Sequence, residues 1–109
     1  MKDNTLYLGH IRDAIDKIDR YVSGVVYKDF ASNEMMIDAV VRELAIIGEA
    51  TNNLSDDFRR NHSDIPFRDI IDMRNILIHD YAGVNTKVVW DTCKNNLPEL
   101  KQFVTDKLD

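Results

Sequence analysis

The stretch NEMMIDAVVRELAIIGEATNN, from Asn33 to Asn53, decides the fold, because apolar residues surround nearly the whole circumference of the helix it would form. Ser32 or Asn33 is the expected N-cap, and the helix should extend to about Asn53. Its apolar positions are Ile37, Val40, Val41, Leu44, Ile46, Ile47 and Ala50. A helix of this kind needs helices around it, so the segment is predicted to be the central helix of a helical domain.

Two features of this helix require explanation, a glycine in its interior and a stripe of polar residues. Gly48 costs roughly 1 kcal/mol of helix propensity relative to alanine, and a close crossing with another helix would explain its presence. The second feature is a polar stripe at four- and seven-residue steps, which is either a solvated, ion-paired face or the lining of a site; the first interpretation is preferred. The stripe consists of Asp38, Arg42, Glu49 and Asn52.

Two further long helices lie before and after the central one. The first should run from about Thr5 to Val22, with Asn4 or Thr5 as its N-cap and one apolar seam along its length. The second has Pro66 in its first turn and Gly83 just past its end, with Asp64 as a plausible N-cap. The connections are predicted to be a loop from Val25 to Ser32, with its aromatic residues packed on the core, and a short helical turn from Ser55 to Arg60.

The last helix is predicted to start at Asn85 or Thr86. Pro98 interrupts its apolar seam, so the pattern requires either a kink or a fresh helix starting at Asn96. Strand-type alternation is absent from the sequence. The predicted fold is therefore all-α, an antiparallel up-down bundle of four long helices plus a short one, in a single domain covering residues 1–109.

Composition fits an ordinary globular protein, with 44% hydrophobic and 30% charged residues. The single cysteine, Cys93, cannot form an internal disulfide and is expected to be a small core residue. Without a signal peptide or a long apolar run, the expected compartment is the cytosol, with no membrane association. The net charge is −5, so any contact with a polyanion must be local. Four arginines cluster in sequence, although an exposed salt-bridged surface would give the same pattern: Arg59, Arg60, Arg68 and Arg74.

The segment MRNILIHDY, from Met73 to Tyr81, combines two helical arcs of different character. At about 100° per residue, one sector is apolar and is predicted to be core. The opposite arc carries polar residues around two isoleucines, which indicates an interface rather than a solvated face. The core sector contains Ile70, Met73, Ile76 and Leu77, and the mixed arc contains Arg68, Arg74, Asn75 and His79 with Ile71 and Ile78.

The chemistry that this segment supports is metal-free phosphoryl transfer. The sequence has no metal-ligand cluster, no Gly-rich phosphate loop and no Ser-His-Asp set. Arg74 suits phosphate, His79 can exchange a proton near neutral pH, and Asn75 lies four residues before the histidine, where its amide would fix the ring. A hydrogen-bonded helix end is the alternative, since arginine and histidine near a C-terminus also favour the helix dipole, and the residues alone favour this alternative.

The segment RNILIHDY resembles the R-x4-H-x-Y motif of HEPN-domain proteins, specifically HepT-like toxins. Three further stretches resemble the same family, so the resemblance spans nearly the whole chain. They are AVVRELAIIGEATNNLS from Ala39 to Ser55, IPFRDIIDMRN from Ile65 to Asn75, and VVWDTCKNNLPELK from Val88 to Lys101.

The resemblance implies a metal-independent endoribonuclease, without a cofactor, whose two motif helices meet in a homodimer and form a shared cleft. His79 would then be the general base or acid at the RNA 2′-hydroxyl and leaving oxygen, and Arg74 would stabilise the charged phosphorane. Asn75 would orient the histidine. The RNA that is cut cannot be predicted, because specificity depends on a cleft built from two chains.

The resemblance also implies a toxin-antitoxin pair. The partner would be a minimal nucleotidyltransferase antitoxin that transfers AMP to Tyr81, placing negative charge and bulk in the substrate cleft, and the two proteins would form a higher assembly. Two other hypotheses stay open. One is a noncatalytic module that binds nucleotides or docks a nucleotidyltransferase, with Arg74 holding phosphate; the other is a dimerising scaffold.

Overall fold

The computed structural model describes residues 3–79 and 85–109, except for the side chains of Ile78 and His79. The described chain contains seven α-helices and, between the last two, a π-helical turn at Thr92–Asn96. The α-helices are α1 (Asn4–Val22), α2 (Tyr27–Ala31), α3 (Glu34–Asn53), α4 (Asp56–Asn61), α5 (Phe67–His79), α6 (Thr86–Asp91) and α7 (Leu97–Leu108). No strand occurs in these residues, and the predicted all-α helical bundle is confirmed.

Helix α3 is central, as predicted, because it contacts both α1 and α5 extensively. Asn33 caps it by accepting a hydrogen bond from the Met36 amide at 3.0 Å. The described core is continuous across the bundle. Its fully buried large side chains include Ile11, Ile15, Ile18, Phe30, Leu44, Ile47, Leu54 and Val104. None of the helices in the described part of the chain is long and apolar enough to cross a membrane.

The cap of α1 differs from the prediction by one residue. The side chain of Asp3 accepts the hydrogen bond from the Leu6 amide, so neither Asn4 nor Thr5 is the N-cap. The Asn4 side chain has a different partner: it accepts from the Ser55 amide at 2.9 Å and donates to the Ser55 hydroxyl at 3.2 Å. Asn4 therefore joins the start of α1 to the start of α4, which Ser55 caps.

The predicted loop after α1 contains a short helix, α2, instead. Helix α2 forms because Phe30 must be buried: its side chain is completely inaccessible and lies 5.0 Å, centroid to centroid, from Trp90. The Val26 carbonyl accepts from the amides of Asp29 and Phe30, closing a single helical turn. The predicted packing of aromatic residues on the core is confirmed.

The last helical segment accommodates Pro98 without a break. The Leu97 amide donates to the carbonyl of Thr92, five residues earlier, and the backbone stays helical from Thr86 through this π turn to Leu108. The wide turn places Pro98 in the first turn of α7. The predicted fresh helix starting at Asn96 is therefore wrong, and the irregularity before Pro98 lies within a continuous helical segment. Cys93 is buried within the π turn, and burial raises the pKa of its thiol to about 11. The expectation of a core cysteine is confirmed.

Candidate functional site

The candidate site lies where α5 crosses α3, and Gly48 determines how close the two helices come. A Cβ atom on Gly48 would overlap Arg74 Cβ, lie 2.8 Å from Arg74 Cγ and lie 3.2 Å from the carbonyl oxygen of Ile70. The space that any other residue would use for its side chain is thus filled by the aliphatic stem of Arg74. The predicted close crossing at Gly48 is confirmed.

This crossing rotates α5 relative to the prediction. Ile76, predicted to be core, is 61% exposed, whereas Ile71, assigned to the mixed arc, is 7% exposed. Leu77 is buried as predicted, and Ile70 and Met73 are half-buried. The error has a physical cause: the stem of Arg74 packs on Gly48, so the buried stripe includes a residue that the pattern placed on the opposite arc. The side chain of Ile71 is therefore almost completely buried inside the single chain.

The guanidinium of Arg74 is held on two sides. Its Nη2 forms an ion pair with Glu49 Oε2 at 2.6 Å, and its Nη1 donates a hydrogen bond to Asn75 Oδ1 at 3.0 Å. The side chain of Arg74 is 29% exposed, and among the described residues no acceptor bonds to its buried Nε. An arginine has five N–H donors, so one N–H on each Nη atom remains for a ligand.

The other three clustered arginines pair with carboxylates of their own helices. Arg59 donates to Asp56 at 2.6 Å, Arg60 pairs with Asp57, and Arg68 lies 3.9 Å from Asp72. For these three, the structure supports the salt-bridged surface that the sequence left open. Arg74 differs because its carboxylate partner is on another helix and its stem is packed.

The structure brings together some of the predicted site residues. The side chains of Arg74 and Asn75 are joined by a hydrogen bond, and His79 is the last residue of α5. The expected contact between Asn75 and His79 involves a side chain that the structure does not describe, and Tyr81 lies outside the described residues. Glu49 was not assigned to the site from the sequence. It belonged to the predicted polar stripe, and its position next to Gly48 was the available signal.

The opposite side of α5 borders an apolar groove of about 620 Å³ that the sequence did not predict. Leu44, Ile47, Leu77, Val89, Leu97 and Leu100 line it, and three carboxylates, Asp69, Asp72 and Glu99, also border it. Ile76 and Val88 contribute exposed apolar surface. Within the described ranges, no group of three or more His, Cys, Asp or Glu side chains is placed to hold a metal ion.

Comparisons with known proteins match one family over nearly the whole length of the chain. The family model described as ribonuclease HepT-like matches residues 11–106. A candidate RNase of Caldanaerobacter subterraneus subsp. tengcongensis is 40% identical over 108 residues, covering 99% of this chain and 96% of that protein. A probable ribonuclease HepT of Thermococcus cleftensis is 42% identical over 95 residues, covering 87% and 86%.

A longer relative of Methanocaldococcus jannaschii is described as a gamma-glutamylcyclotransferase and candidate RNase. It is 39% identical over 103 residues, which are 94% of this chain and 46% of that protein. This chain thus spans about half the length of that relative. No solved structure matches this chain significantly.

Proposed function

Because the chain belongs to the HepT-like ribonuclease family, we propose that it is a metal-independent endoribonuclease and the toxin of a toxin-antitoxin pair. Arg74 and His79 are the catalytic residues of this proposal, and Asn75 supports them. The observation that carries it is Arg74 itself, which is fixed at the helix crossing with two N–H groups left for a phosphate. Arginine is suited to this task because its planar fork stays charged and donates in pairs.

The reaction requires one proton acceptor, one proton donor and charge stabilisation. The RNA 2′-oxygen attacks the adjacent phosphorus while His79 removes its proton, and the bond to the 5′-oxygen breaks as the protonated His79 gives that proton to the leaving oxygen, which yields a 2′,3′-cyclic phosphate and a 5′-hydroxyl. Between these steps the phosphorane carries extra negative charge, which the two remaining N–H groups of Arg74 stabilise. Atoms and charge balance without a metal ion.

Asn75 connects the two catalytic residues. Its Oδ1 accepts from Arg74 and has a second lone pair, so the same oxygen can also accept from a second neighbour. His79 follows four residues later and is therefore its neighbour on the helix surface. An oxygen that accepts from the N–H of an imidazole would orient the ring and leave its unprotonated nitrogen free, which is what a general base requires.

The proposal includes a homodimer and an antitoxin. Two copies bring their α5 helices together around the RNA, because a single Arg-His pair on one helix offers no cleft that encloses a strand. A minimal nucleotidyltransferase antitoxin adds AMP to Tyr81, seven residues after Arg74, and the added phosphate and nucleoside block RNA access. After co-expression with such an antitoxin, mass spectrometry should find an AMP adduct on Tyr81, and a neutralised complex with unmodified Tyr81 would contradict this mode of inhibition.

The decisive experiment is RNA cleavage by the purified protein in EDTA. Wild type should cleave, whereas Arg74→Ala and His79→Ala should each lower kcat at least about 100-fold, since general acid-base and electrostatic contributions are of this size. Arg20→Ala, which removes an exposed positive charge from α1, is the matched control and should keep full activity. Both catalytic variants should remain dimeric.

Two results would contradict the proposal. Full activity of either catalytic variant would remove the mechanism, and cleavage that disappears in EDTA would remove metal independence. If wild type binds nucleotides through Arg74 but does not cut RNA, the chain is instead the noncatalytic module that docks a nucleotidyltransferase.

A further inference from the structure

The geometry points to Glu49 as a positioning residue, one that acts through Arg74 rather than on the RNA. Its Oε2 forms an ion pair with Arg74 Nη2 at 2.6 Å across the helix crossing. This inference rests on the proposed function of Arg74 and adds a residue from α3 to a site whose other members all come from α5. According to this inference, the reaction depends on a residue of the central helix.

Adjacent residues of α3 hold different parts of the same side chain. Gly48 leaves room for Cβ and Cγ of Arg74, and Glu49 binds the end of the guanidinium. Asn75 binds the other Nη atom from within α5. A long arginine side chain with several rotatable bonds is thereby fixed at its stem and at both ends of its fork, which is the pre-organisation that transition-state stabilisation requires.

Stability does not explain the pair. The side chains of Arg74 and Glu49 are 29% and 53% exposed, and ion pairs at such exposure contribute little to folding because water and salt screen them. An ordered Arg74 benefits the proposed reaction more directly, since a catalytic group displaced by about 1 Å can cost a hundredfold in rate.

The negative charge of Glu49 opposes RNA binding, while its ion pair orients Arg74. A carboxylate next to a phosphate-binding group repels the substrate in the ground state. The two effects therefore separate kinetically: a positioning residue that is removed lowers kcat, and KM stays the same or falls. A residue that only screened Arg74 would, when removed, lower KM with kcat unchanged.

The test compares Glu49→Ala and Glu49→Gln with Asp38→Asn, using cleavage of an RNA substrate in EDTA. Asp38 is exposed on α3, about 16 Å before Glu49 and at nearly the same azimuth, so its variant removes an equal charge from the same face. We expect Glu49→Ala to lower kcat about 10- to 100-fold. Glu49→Gln, which keeps an acceptor for Nη2, should restore most of that loss, and Asp38→Asn should match wild type.

A double variant shows whether the effect passes through Arg74. In an Arg74→Ala background, adding Glu49→Ala should change the residual kcat by less than about threefold, because no guanidinium remains for Glu49 to position. Equal losses in both backgrounds would overturn the inference, and so would an unchanged kcat for Glu49→Ala. Melting temperatures of the single Glu49 variants should stay within about 5 °C of wild type.

A measurement without RNA separates this inference from the proposed function. In ¹⁵N NMR spectra, the Arg74 Nε–H of wild type should exchange slowly with water, because the atom is buried and the guanidinium is held. Glu49→Ala should accelerate this exchange at least about tenfold, and Asp38→Asn should not. Unchanged exchange in Glu49→Ala overturns the inference even if the protein cleaves RNA. Accelerated exchange in a protein that does not cleave RNA keeps the positioning contact and rejects the proposed function.

Discussion

The two sides of α5 are packed in opposite ways. Toward α3 the helix leaves no room for a methyl group at Gly48, and Gly48 and Glu49 hold the side chain of Arg74 there. On its other side the same helix borders an open apolar groove, with Ile76 61% exposed. A single amphipathic helix thus carries a tightly determined site on one side and an uncovered surface on the other. The difference shows that the position of α5 is set by the crossing and not by the number of apolar residues it buries.

The largest expected effect concerns neighbouring residues of α5 that the sequence pattern both assigned to the core. Leu77→Ala should lower the free energy of unfolding by about 2–3 kcal/mol, because Leu77 is 7% exposed in the core cluster. Ile76→Ala should change it by less than about 0.5 kcal/mol, since this side chain is largely in water. Urea denaturation of both variants measures the difference.

Protein concentration makes that comparison sharper. An equally large loss for Ile76→Ala at low concentration would contradict the rotation of α5. A loss that grows only with concentration would indicate that a second copy covers Ile76.

The next prediction compares the same substitution, glycine to alanine, at the helix crossing and in α1. Gly48→Ala should lower the free energy of unfolding by about 1–2 kcal/mol, because the clash with Arg74 and the Ile70 carbonyl exceeds the gain in helix propensity. Gly9→Ala in α1 should raise it by up to about 1 kcal/mol, since no atom lies within 4 Å of the added methyl group. Thermal unfolding compares the two.

Cleavage gives the second measurement on these glycine variants. Gly48→Ala should also reduce RNA cleavage, because Arg74 must move to admit the methyl group, whereas Gly9→Ala should leave it unchanged. A Gly48→Ala protein that is as stable and active as wild type would show that the crossing is not as rigid as its geometry indicates.

The smallest effect on stability, and a test of the groove side, comes from Cys93. Burial raises the pKa of this thiol to about 11, so the folded protein at pH 8 should react with a disulfide reagent on the order of a hundredfold more slowly than the protein in urea. A rate near that of the unfolded chain would mean that the π turn beside the groove opens readily. The pKa of the Cys93 thiol is higher in the folded protein than in the unfolded chain. The contribution of this thiol to the free energy of unfolding is therefore fully present below pH 9 and is lost as the pH rises toward 11.

Sequence patterns predicted the architecture well because apolar spacing and caps are local. The central helix, its Asn33 cap, the irregular turn before Pro98 and the close crossing at Gly48 all follow from such signals. Helix α2 was missed because five residues held by one buried phenylalanine carry no periodic pattern.

The rotation of α5 was missed for a different reason. The pattern treats arginine as a surface residue. In the structure, however, the aliphatic stem of Arg74 packs against Gly48, and only the end of the side chain is polar. The same property hid Glu49, since pairing between residues 25 positions apart depends on the crossing geometry and not on spacing along one helix. His79 and Tyr81 remain predictions from the motif alone.

The crossing at Gly48 also has an evolutionary consequence. As long as Arg74 occupies the space above position 48, selection on the site is also selection against any side chain there. A relative that has lost the arginine is released from this constraint, and alanine at position 48, with its better helix propensity, becomes the favoured residue. We therefore expect the two positions to change together, so that a non-glycine residue at position 48 marks family members whose site has degenerated.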